Sequence, residues 1–313
     1  MNYIIFDLEW NQASSESDPK KKILPFEVIE IGAVKLDGHK NQISKFSKLI
    51  KPHVYTKMHP ITKKMLHMQI EDLNQEGSFV DIMNEFLKWC GKEYVFCTWG
   101  VLDLLELQRN MKYFYMDSLT NGPLKYLDVQ KLFSLAFEDG KSRRTLEYAV
   151  DLLDIEKDIA FHRAYSDAYY TAKVFSKINN PVVESKYSFD VFIPPKTKKD
   201  EVKIVFETYE KYISRTFEDK NAAMEDREVI STKCFYCHKN IKKKIKWFTV
   251  NGKHFLSLSY CDVHGPMKSK IRMKKSDDDR TYVIKTSKFI TNEAADELIQ
   301  KYHRYKKGKS SQI

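Results

Sequence analysis

Two acidic residues near the start of the chain have the types and the spacing of a metal site. Asp7 and Glu9 follow the apolar run 4–6 at alternate positions, and alternate side chains of a β-strand share one face. Two carboxylates held side by side repel each other unless a cation neutralises them, and hard divalent ions prefer oxygen ligands. The pair therefore indicates a divalent-metal site, while a strand that simply ends at solvent is the alternative.

Three further candidates lie far along the chain, at positions that could reach such a site. Asp103 follows the apolar run 94–97, at a predicted junction of strand and helix, where site residues of open α/β sheets collect. His162 and Asp167 lie a little more than one helical turn apart, in a segment with apolar residues at helical spacing. We expect both side chains to reach one cleft, and a histidine packed in the core is the alternative for His162.

These residues and their surroundings resemble the DEDDh family of 3′–5′ exonucleases. The first motif corresponds to residues 7–9, the second to Trp99-Gly100 with Asp103, and the third to residues 162–167. Residues 27–34 resemble the second strand of the family, and 59–62 resemble its loop before the first helix. The likeness extends over about residues 2–178 and is nearest to the sporulation-inhibitor (KapD-like) and ERI-1-like exonucleases, within the group that includes DnaQ. Val101-Leu102, before Asp103, are less polar than their counterparts in many relatives.

The resemblance implies a ribonuclease H-like α/β fold, with a mixed five-stranded sheet flanked by helices. It also implies two Mg²⁺ or Mn²⁺ ions held by Asp7, Glu9, Asp103 and Asp167, with His162 as the general base. The implied reaction releases nucleoside 5′-monophosphates from the 3′ end of single-stranded nucleic acid, with RNA favoured over DNA. Side chains that could touch the terminal nucleotide are Leu8, Trp10 and Trp99, although Leu8 and Trp10 could equally pack in the core.

A second cluster of possible ligands lies near the other end of the chain. Cys234 and Cys237 are separated by two residues, as are Cys261 and His264, and this spacing is typical of a closed tetrahedral site for structural Zn²⁺. Asn251-Gly252, between the two pairs, is a hairpin signal. The segment therefore resembles a zinc ribbon. The sequence Cys-Phe-Tyr-Cys-His also matches a c-type haem attachment pattern, but no export signal accompanies it.

The charge of the chain is concentrated around these cysteines. Residues 231–313 contain 20 Lys and Arg against 7 Asp and Glu, a net charge of +13, whereas residues 1–230 have a net charge of −3. The overall charge of +10 therefore comes entirely from the C-terminal part. Basic groups neutralise phosphates and aromatic faces stack on unpaired bases. The side chains predicted to contact nucleic acid here are Lys242, Lys243, Lys244, Trp247, Lys270 and Arg272. A lysine-rich solvated surface, or docking to a protein or ribonucleoprotein partner by an adaptor protein, are the alternatives.

Length and composition complete the predicted organisation. With 313 residues, the chain is long enough for two domains. We predict a nuclease domain over 1–180, a linker and bridging helix over 181–230, and a small basic zinc-ribbon-like domain over 231–313. The absence of a long apolar run predicts no membrane span, and five cysteines without a secretory signal indicate a cytoplasmic protein. No glycine-rich phosphate loop is present, which argues against an NTPase or dinucleotide enzyme.

Overall fold

A long first strand, β1 (Asn2–Gln12), lies inside a mixed sheet in the computed structural model of the chain. It pairs antiparallel with β2 (Phe26–Leu36) and parallel with β4 (Tyr94–Thr98). The remaining strands are β3 (Gln42–Leu49), β5 (Leu124–Asp128) and β6 (Ser188–Asp190), and the order across the sheet is β3-β2-β1-β4-β5-β6. The predicted mixed sheet flanked by helices is therefore confirmed.

The sheet has one strand more than the five predicted. Residues 181–190 do not form a linker, since a short helix and then β6 continue the first sheet. Strand β6 pairs antiparallel with β5, from Leu124 opposite Asp190 to Tyr126 opposite Ser188. The outer edge of β5 would otherwise leave backbone groups unpaired, and the three residues of β6 satisfy them.

The structure describes residues 1–15, 17–249 and 251–310, with side chains up to 307; the last residues of the predicted basic domain lie outside them. Two compact units are present: Met1–Thr120 with Leu124–Asp190, and Asn121–Pro123 with Val191–Ile313. The boundary therefore follows Asp190 rather than residue 180. No helix in these described ranges has the length and apolarity needed to span a membrane.

Helices cover both faces of the first sheet. They are α1 (Pro60–Leu66), α2 (Phe79–Cys90), α3 (Leu102–Tyr113), α4 (Val129–Phe137), α5 (Leu146–Leu152), α6 (Ala164–Lys177) and α7 (Pro181–Glu184), with 3₁₀ turns at Pro19–Lys22 and Ile70–Leu73.

The two faces of β1 belong to different parts of the core. Phe6 and Leu8 pack with side chains of α2 and α3, whereas Ile5 packs with side chains of α4 and α6. Because side chains alternate along a strand, Asp7 and Glu9 share the face of Ile5, toward α6. The acids and the apolar residues between them therefore lie on opposite faces of β1.

Gly32 permits the close approach of α6 to this face. It lies opposite Asp7 in the pairing of β1 with β2. A Cβ atom placed on Gly32 would lie 1.9 Å from the backbone nitrogen of Tyr165 and 2.1 Å from the carbonyl carbon of Ala164. Any larger residue would therefore push the first turn of α6 away from β2 and from the neighbouring β1.

The second unit contains its own antiparallel sheet. Its strands are β7 (Val202–Val205), β8 (Tyr209–Ile213), β9 (Lys242–Thr249), β10 (His254–Cys261), β11 (Gly265–Lys275) and β12 (Thr281–Phe289), in the order β7-β8-β12-β11-β10-β9. Its helices are α8 (Lys220–Glu225), α9 (Arg227–Ile230) and α10 (Asn292–Ser310), with a 3₁₀ turn at Lys198–Asp200. The predicted hairpin around Asn251-Gly252 is present, between β9 and β10.

The predicted bridging helix over residues 201–227 is wrong. Most of this segment forms β7, β8 and the short helix α8. Strand β8 pairs with β12, with Ile213 opposite Ile284, and β7 pairs with β8. The apolar residues fit helical spacing, but β-branched and aromatic side chains favour strands, and β12 provides an edge for pairing.

The packing at Gly32 predicts the effect of one added methyl group. We expect Gly32→Ala to lower the free energy of unfolding by about 1–3 kcal/mol or more, the usual cost of overpacking a core. Gly38→Ala is the matched control, because its nearest neighbour would be the Met1 carbonyl oxygen at 3.7 Å. Urea denaturation measures both. Equal stabilities of the two variants would contradict the assigned contact with α6.

Candidate active site

Three carboxylates from β1 and α6 meet on the face of the first sheet. Asp7 and Glu9 project from β1, and Asp167 projects from the first turn of α6. One oxygen of each carboxylate lies within 4.8 Å of the others. This spacing is short enough for a single ion to contact all three. The geometry therefore brings together residues from near the two ends of the first unit.

Asp103 belongs to the same acidic environment, although it is not one of those three. It lies in the first turn of α3 and its side chain is buried. Its Oδ1 accepts a hydrogen bond from the backbone N–H of Leu8 at 3.3 Å. Leu8 is the residue between Asp7 and Glu9, so this bond holds Asp103 against β1 next to both acids. After burial, Asp103 is the strongest influence that raises the pKa of Asp7.

The electrostatics of the site oppose ionisation of these acids. Burial and then the neighbouring Asp167 carboxylate raise the pKa of Glu9 to about 8. Burial also raises the pKa of Asp103 to about 7 and that of Asp167 to about 6. The pKa of Asp7 is raised well above its ordinary value by burial and by the surrounding acids. Divalent cations would reverse these shifts by stabilising the charged forms.

Asp167 has an oxygen atom whose surroundings fit a bound cation. Its Oδ1 is buried and has no hydrogen-bond partner in the described part of the chain. A buried carboxylate oxygen without a partner carries a substantial desolvation cost. A coordinated cation would satisfy this oxygen and would also remove the repulsion among the acids.

His162 lies just before α6 rather than on it, so the prediction that His162 and Asp167 share one helix is wrong. The helix begins at Ala164, and His162 has a φ of 67°, in the left-handed region. Its backbone N–H donates to the Asp167 carboxylate, and the residue is exposed. The turn therefore leaves the imidazole open to solvent beside a proposed metal ligand.

An ion pair between a buried glutamate and a half-exposed arginine, next to the acids, was not predicted. Glu30 on β2 is 1% exposed and lies opposite Glu9. Arg163 donates to it through two nitrogens, at 2.9 Å and 3.1 Å. A charged residue inside the apolar strand 28–34 was the available signal. The pair neutralises one acid locally and anchors the turn that carries His162.

Another buried polar residue positions a loop at the end of β1. The Asn11 side chain donates to the carbonyls of Tyr55 and Lys57 at 3.0 Å and 2.9 Å, and it accepts from the N–H of His59 at 2.9 Å. Glu27 accepts hydrogen bonds from the N–H groups of three consecutive residues, 53–55. The loop before α1 is therefore held beside the acidic site through its backbone.

The predicted nucleotide-contacting residues differ in their surroundings. Leu8 is 3% exposed and belongs to the core, so the interpretation as a base contact is wrong and the packing alternative holds. Trp10 is half-buried against Phe26, with ring centroids 5.2 Å apart. The indole N–H of Trp99 donates to the carbonyl of Arg144 at 3.2 Å. Trp10 and Trp99 remain predictions as nucleotide contacts.

The second predicted ligand set also comes together, in the second unit. One atom each of Cys234, Cys237, Cys261 and His264 lies within 4.8 Å of the others. The Cys237 and Cys261 sulfurs are 3.7 Å apart, and His264 Nδ1 lies 3.4 Å from the Cys234 sulfur and 3.5 Å from the Cys261 sulfur. A tetrahedral ion with metal–sulfur bonds of about 2.3 Å separates its sulfur ligands by about 3.8 Å. The four residues therefore fit one tetrahedral divalent metal.

The side chains of the second unit that were predicted to contact nucleic acid also differ in their exposure. Lys242, Lys244, Lys270 and Arg272 are exposed and Lys243 is half-buried. Trp247 instead packs against a core cluster and donates its indole N–H to the carbonyl of Ile230 at 3.1 Å. The ring is half-buried, and the predicted contact of Trp247 with nucleic acid stays a prediction.

The raised pKa values predict how pH and metal affect stability. Acids whose pKa is higher in the folded protein stabilise the metal-free fold at low pH, below their unfolded values. That stability is lost as pH rises through about 6, 7 and 8, the values for Asp167, Asp103 and Glu9. Added Mg²⁺ should therefore raise the melting temperature more at pH 8 than at pH 5, by about 2–4 °C for each 1 kcal/mol gained.

The variant Glu9→Gln tests the origin of this effect. Without added metal it should melt above the unmodified protein at pH 8, because one buried charge is gone, and it should respond less to Mg²⁺. Glu71→Gln, on an exposed turn, is the control. Equal Mg²⁺ responses of all three proteins at both pH values would exclude the carboxylates as the metal site.

Comparison with known proteins gives the family of the first unit. The exonuclease family model matches residues 4–175, more than half of the chain. No curated protein matches the chain. The nuclease domain of 3′hExo, a DEDDh family member bound to rAMP, is similar in structure at 14% identity, over 61% of this chain and 95% of that one, with a TM-score of 0.49.

Two further solved structures show a comparable likeness. A full-length 3′-exonuclease has 15% identity over 56% of this chain and 80% of its own, with a TM-score of 0.48. A 3′-exonuclease that recognises the 3′ end of a histone mRNA stem-loop has 15% identity, over 61% of this chain and 84% of its own, with a TM-score of 0.48. With the family match and the converging acids, the chain belongs to the exonuclease family and is a metal-dependent 3′–5′ exonuclease of the DEDDh type that acts on nucleic acid.

Proposed function

We propose that the protein removes nucleotides one at a time from the 3′ end of single-stranded nucleic acid, with RNA favoured over DNA. The observation that carries the proposal is the meeting of Asp7, Glu9 and Asp167 within 4.8 Å, beside buried Asp103. The preference for RNA rests on the motif likeness to the ERI-1-like exonucleases. The products are nucleoside 5′-monophosphates and a strand shorter by one residue.

The four acids are proposed to hold two divalent cations, Mg²⁺ or Mn²⁺. When bound, such ions polarise the scissile phosphate and stabilise the charge that develops on the attacking and departing oxygens. Asp7 and Glu9 supply ligands from a rigid strand, whereas Asp103 and Asp167 supply them from the first turns of helices. Asp167 Oδ1, buried without a partner among the described residues, is available as a ligand.

His162 is proposed to act as the general base. It accepts a proton from the attacking water, since an imidazole can take up a proton near neutral pH. Water then adds to the phosphorus, the bond from phosphorus to the 3′ oxygen of the preceding nucleotide breaks, and that oxygen takes up a proton from the solvent. The hydrogen bond from the His162 backbone to Asp167 and the neighbouring Arg163–Glu30 ion pair support this proposal, because they hold the backbone of His162 beside the acids.

For the second site we propose Zn²⁺ with a structural role. Three thiolates and one imidazole complete a tetrahedral shell, which leaves no position for a substrate. The ligands come from the turn before β9 and from the end of β10 and the turn after it. A bound ion would tie these two turns together. The unit around it is proposed to bind nucleic acid through its basic side chains.

The reaction predicts a defined product pattern. Incubation of the full chain with 5′-labelled RNA and DNA of equal sequence, in Mg²⁺ or Mn²⁺, should give a ladder that shortens from the 3′ end, faster on RNA. Asp7→Asn should abolish the ladder because it removes a ligand charge at constant size. Asp117→Asn, an exposed aspartate outside the acidic group, is the control. Internal cleavage or full activity of Asp7→Asn would overturn the proposal.

The role of His162 predicts a graded rather than a complete loss. Replacement by alanine should lower the rate constant by about 10²–10⁴, the usual contribution of a general base. Mg²⁺ should still raise the melting temperature of His162→Ala, because the acids remain. His39→Ala, at an exposed turn, is the matched control. A rate within twofold of the unmodified protein at neutral pH would exclude His162 as the base.

A further inference from the structure

A row of cations lies along one face of β11 in the second unit. Apolar or small side chains at 267, 269, 271 and 273 are buried, while the alternate residues are exposed or half-buried. We call these alternate residues the β11 row: Lys268, Lys270, Arg272 and Lys274. None of them forms an ion pair with the described residues. Successive members are about 6.7 Å apart, as alternate residues of a strand are.

The position of this strand makes its charge informative. Strand β11 lies inside the sheet, between β12 and β10. Lysines on an edge strand have a structural explanation, because they prevent pairing with another chain. That explanation covers Lys242 and Lys244 on β9, which is the edge strand. It does not cover the β11 row.

The row is also electrostatically unfavourable within the unit. Lys268 lies directly opposite Lys288 on β12, and like charges in this arrangement destabilise a sheet. Burial, and then Lys288 and Lys301 of α10, lower the pKa of Lys268. His254 opposite Arg272 has its pKa lowered by burial and then by Lys270 and Arg272. A bound polyanion would remove this repulsion.

Four aromatic side chains of the unit, near the cysteines and on β9, are engaged in packing. Phe235 and Phe248 are 3% and 5% exposed, and Trp247 packs against the core. Tyr236 is 42% exposed, but its ring stacks on Phe289 with centroids 5.3 Å apart. Among the described residues, none of these rings is a free platform beside the β11 row.

We propose that the β11 row binds the phosphodiester backbone of nucleic acid without stacking on its bases. Base-paired and unpaired strands then bind with similar affinity, because both present phosphates at regular intervals. The four cations extend over about 20 Å, and each duplex strand carries one phosphate per about 3.4 Å of axis. This inference rests on the proposed nuclease function, which makes nucleic acid the polyanion that the chain meets.

Binding should be measured on the full chain carrying Asp7→Asn, without added Mg²⁺. The probes are fluorescent 20-nucleotide oligouridine and a 20-base-pair RNA duplex, followed by anisotropy at several KCl concentrations. We expect the two dissociation constants to agree within about threefold. The triple variant Lys270→Gln, Arg272→Gln, Lys274→Gln should weaken both by about tenfold or more, and reduce the slope of log K against log salt by about 2–3.

The matched control removes the same charge from three exposed lysines of the same unit that lie outside its sheet, as Lys196→Gln, Lys198→Gln, Lys199→Gln. It should change affinity by less than twofold. An equal loss in this control, binding of oligouridine alone with a loss in Tyr236→Ala, or equal competition by polyglutamate would each overturn the proposal. Hydrolysis of RNA by the unmodified chain is measured separately, so failure of the nuclease function and failure of this binding surface are distinguished.

Discussion

Mutual repulsion among buried carboxylates is the constraint on which the first unit depends. Asp7, Glu9, Asp103 and Asp167 cannot all ionise in a dry environment without positive charge nearby. The surrounding structure must therefore hold them together against their own electrostatics. It does so with a central strand, two helix starts and a glycine contact that brings α6 against β2. Each of these supports is backbone geometry, which does not relax as a flexible side chain does.

The protein neutralises only part of the negative charge at this site. Arg163 neutralises Glu30 through two hydrogen bonds, but the other acids have no such partner of their own. The pair also restrains the turn before α6, where His162 adopts a left-handed conformation. A fully neutralised pocket would have little affinity for divalent cations. The four acids therefore keep their negative charge for the ions, while the charge of Glu30, opposite Glu9 on β2, is neutralised.

Local patterns in the sequence predicted much of this site. Asp7 and Glu9 could be placed on one face because strand alternation depends only on neighbouring residues. The cysteine pairs could be grouped because each pair lies within one short turn. Convergence of Asp103 and Asp167 came from the family resemblance, since spacing alone does not show which distant elements meet. The left-handed turn at His162 followed from packing of α6 and had no local signal of its own.

Long-range pairing explains what the sequence did not reveal. The apolar residues of 202–213 fit a helix as well as a strand, and the choice depends on β12, which follows some 70 residues later. Strand β6 is only three residues long and exists because β5 has an edge to pair. Lys270 and Arg272 of the β11 row were predicted from the sequence as contacts with nucleic acid, but only the sheet order distinguishes a central strand from an edge strand.

The path of the loop beside the acidic site does not depend on the loop's own side chains. Asn11 and Glu27 bind it almost entirely through main-chain N–H and carbonyl groups. Every amino acid except proline supplies these groups equally. Mutations that change the loop's own side chains can therefore accumulate while its path is preserved. Evolution could in this way change which groups the loop contacts without changing the fold. Replacement of either anchoring residue would have the opposite outcome.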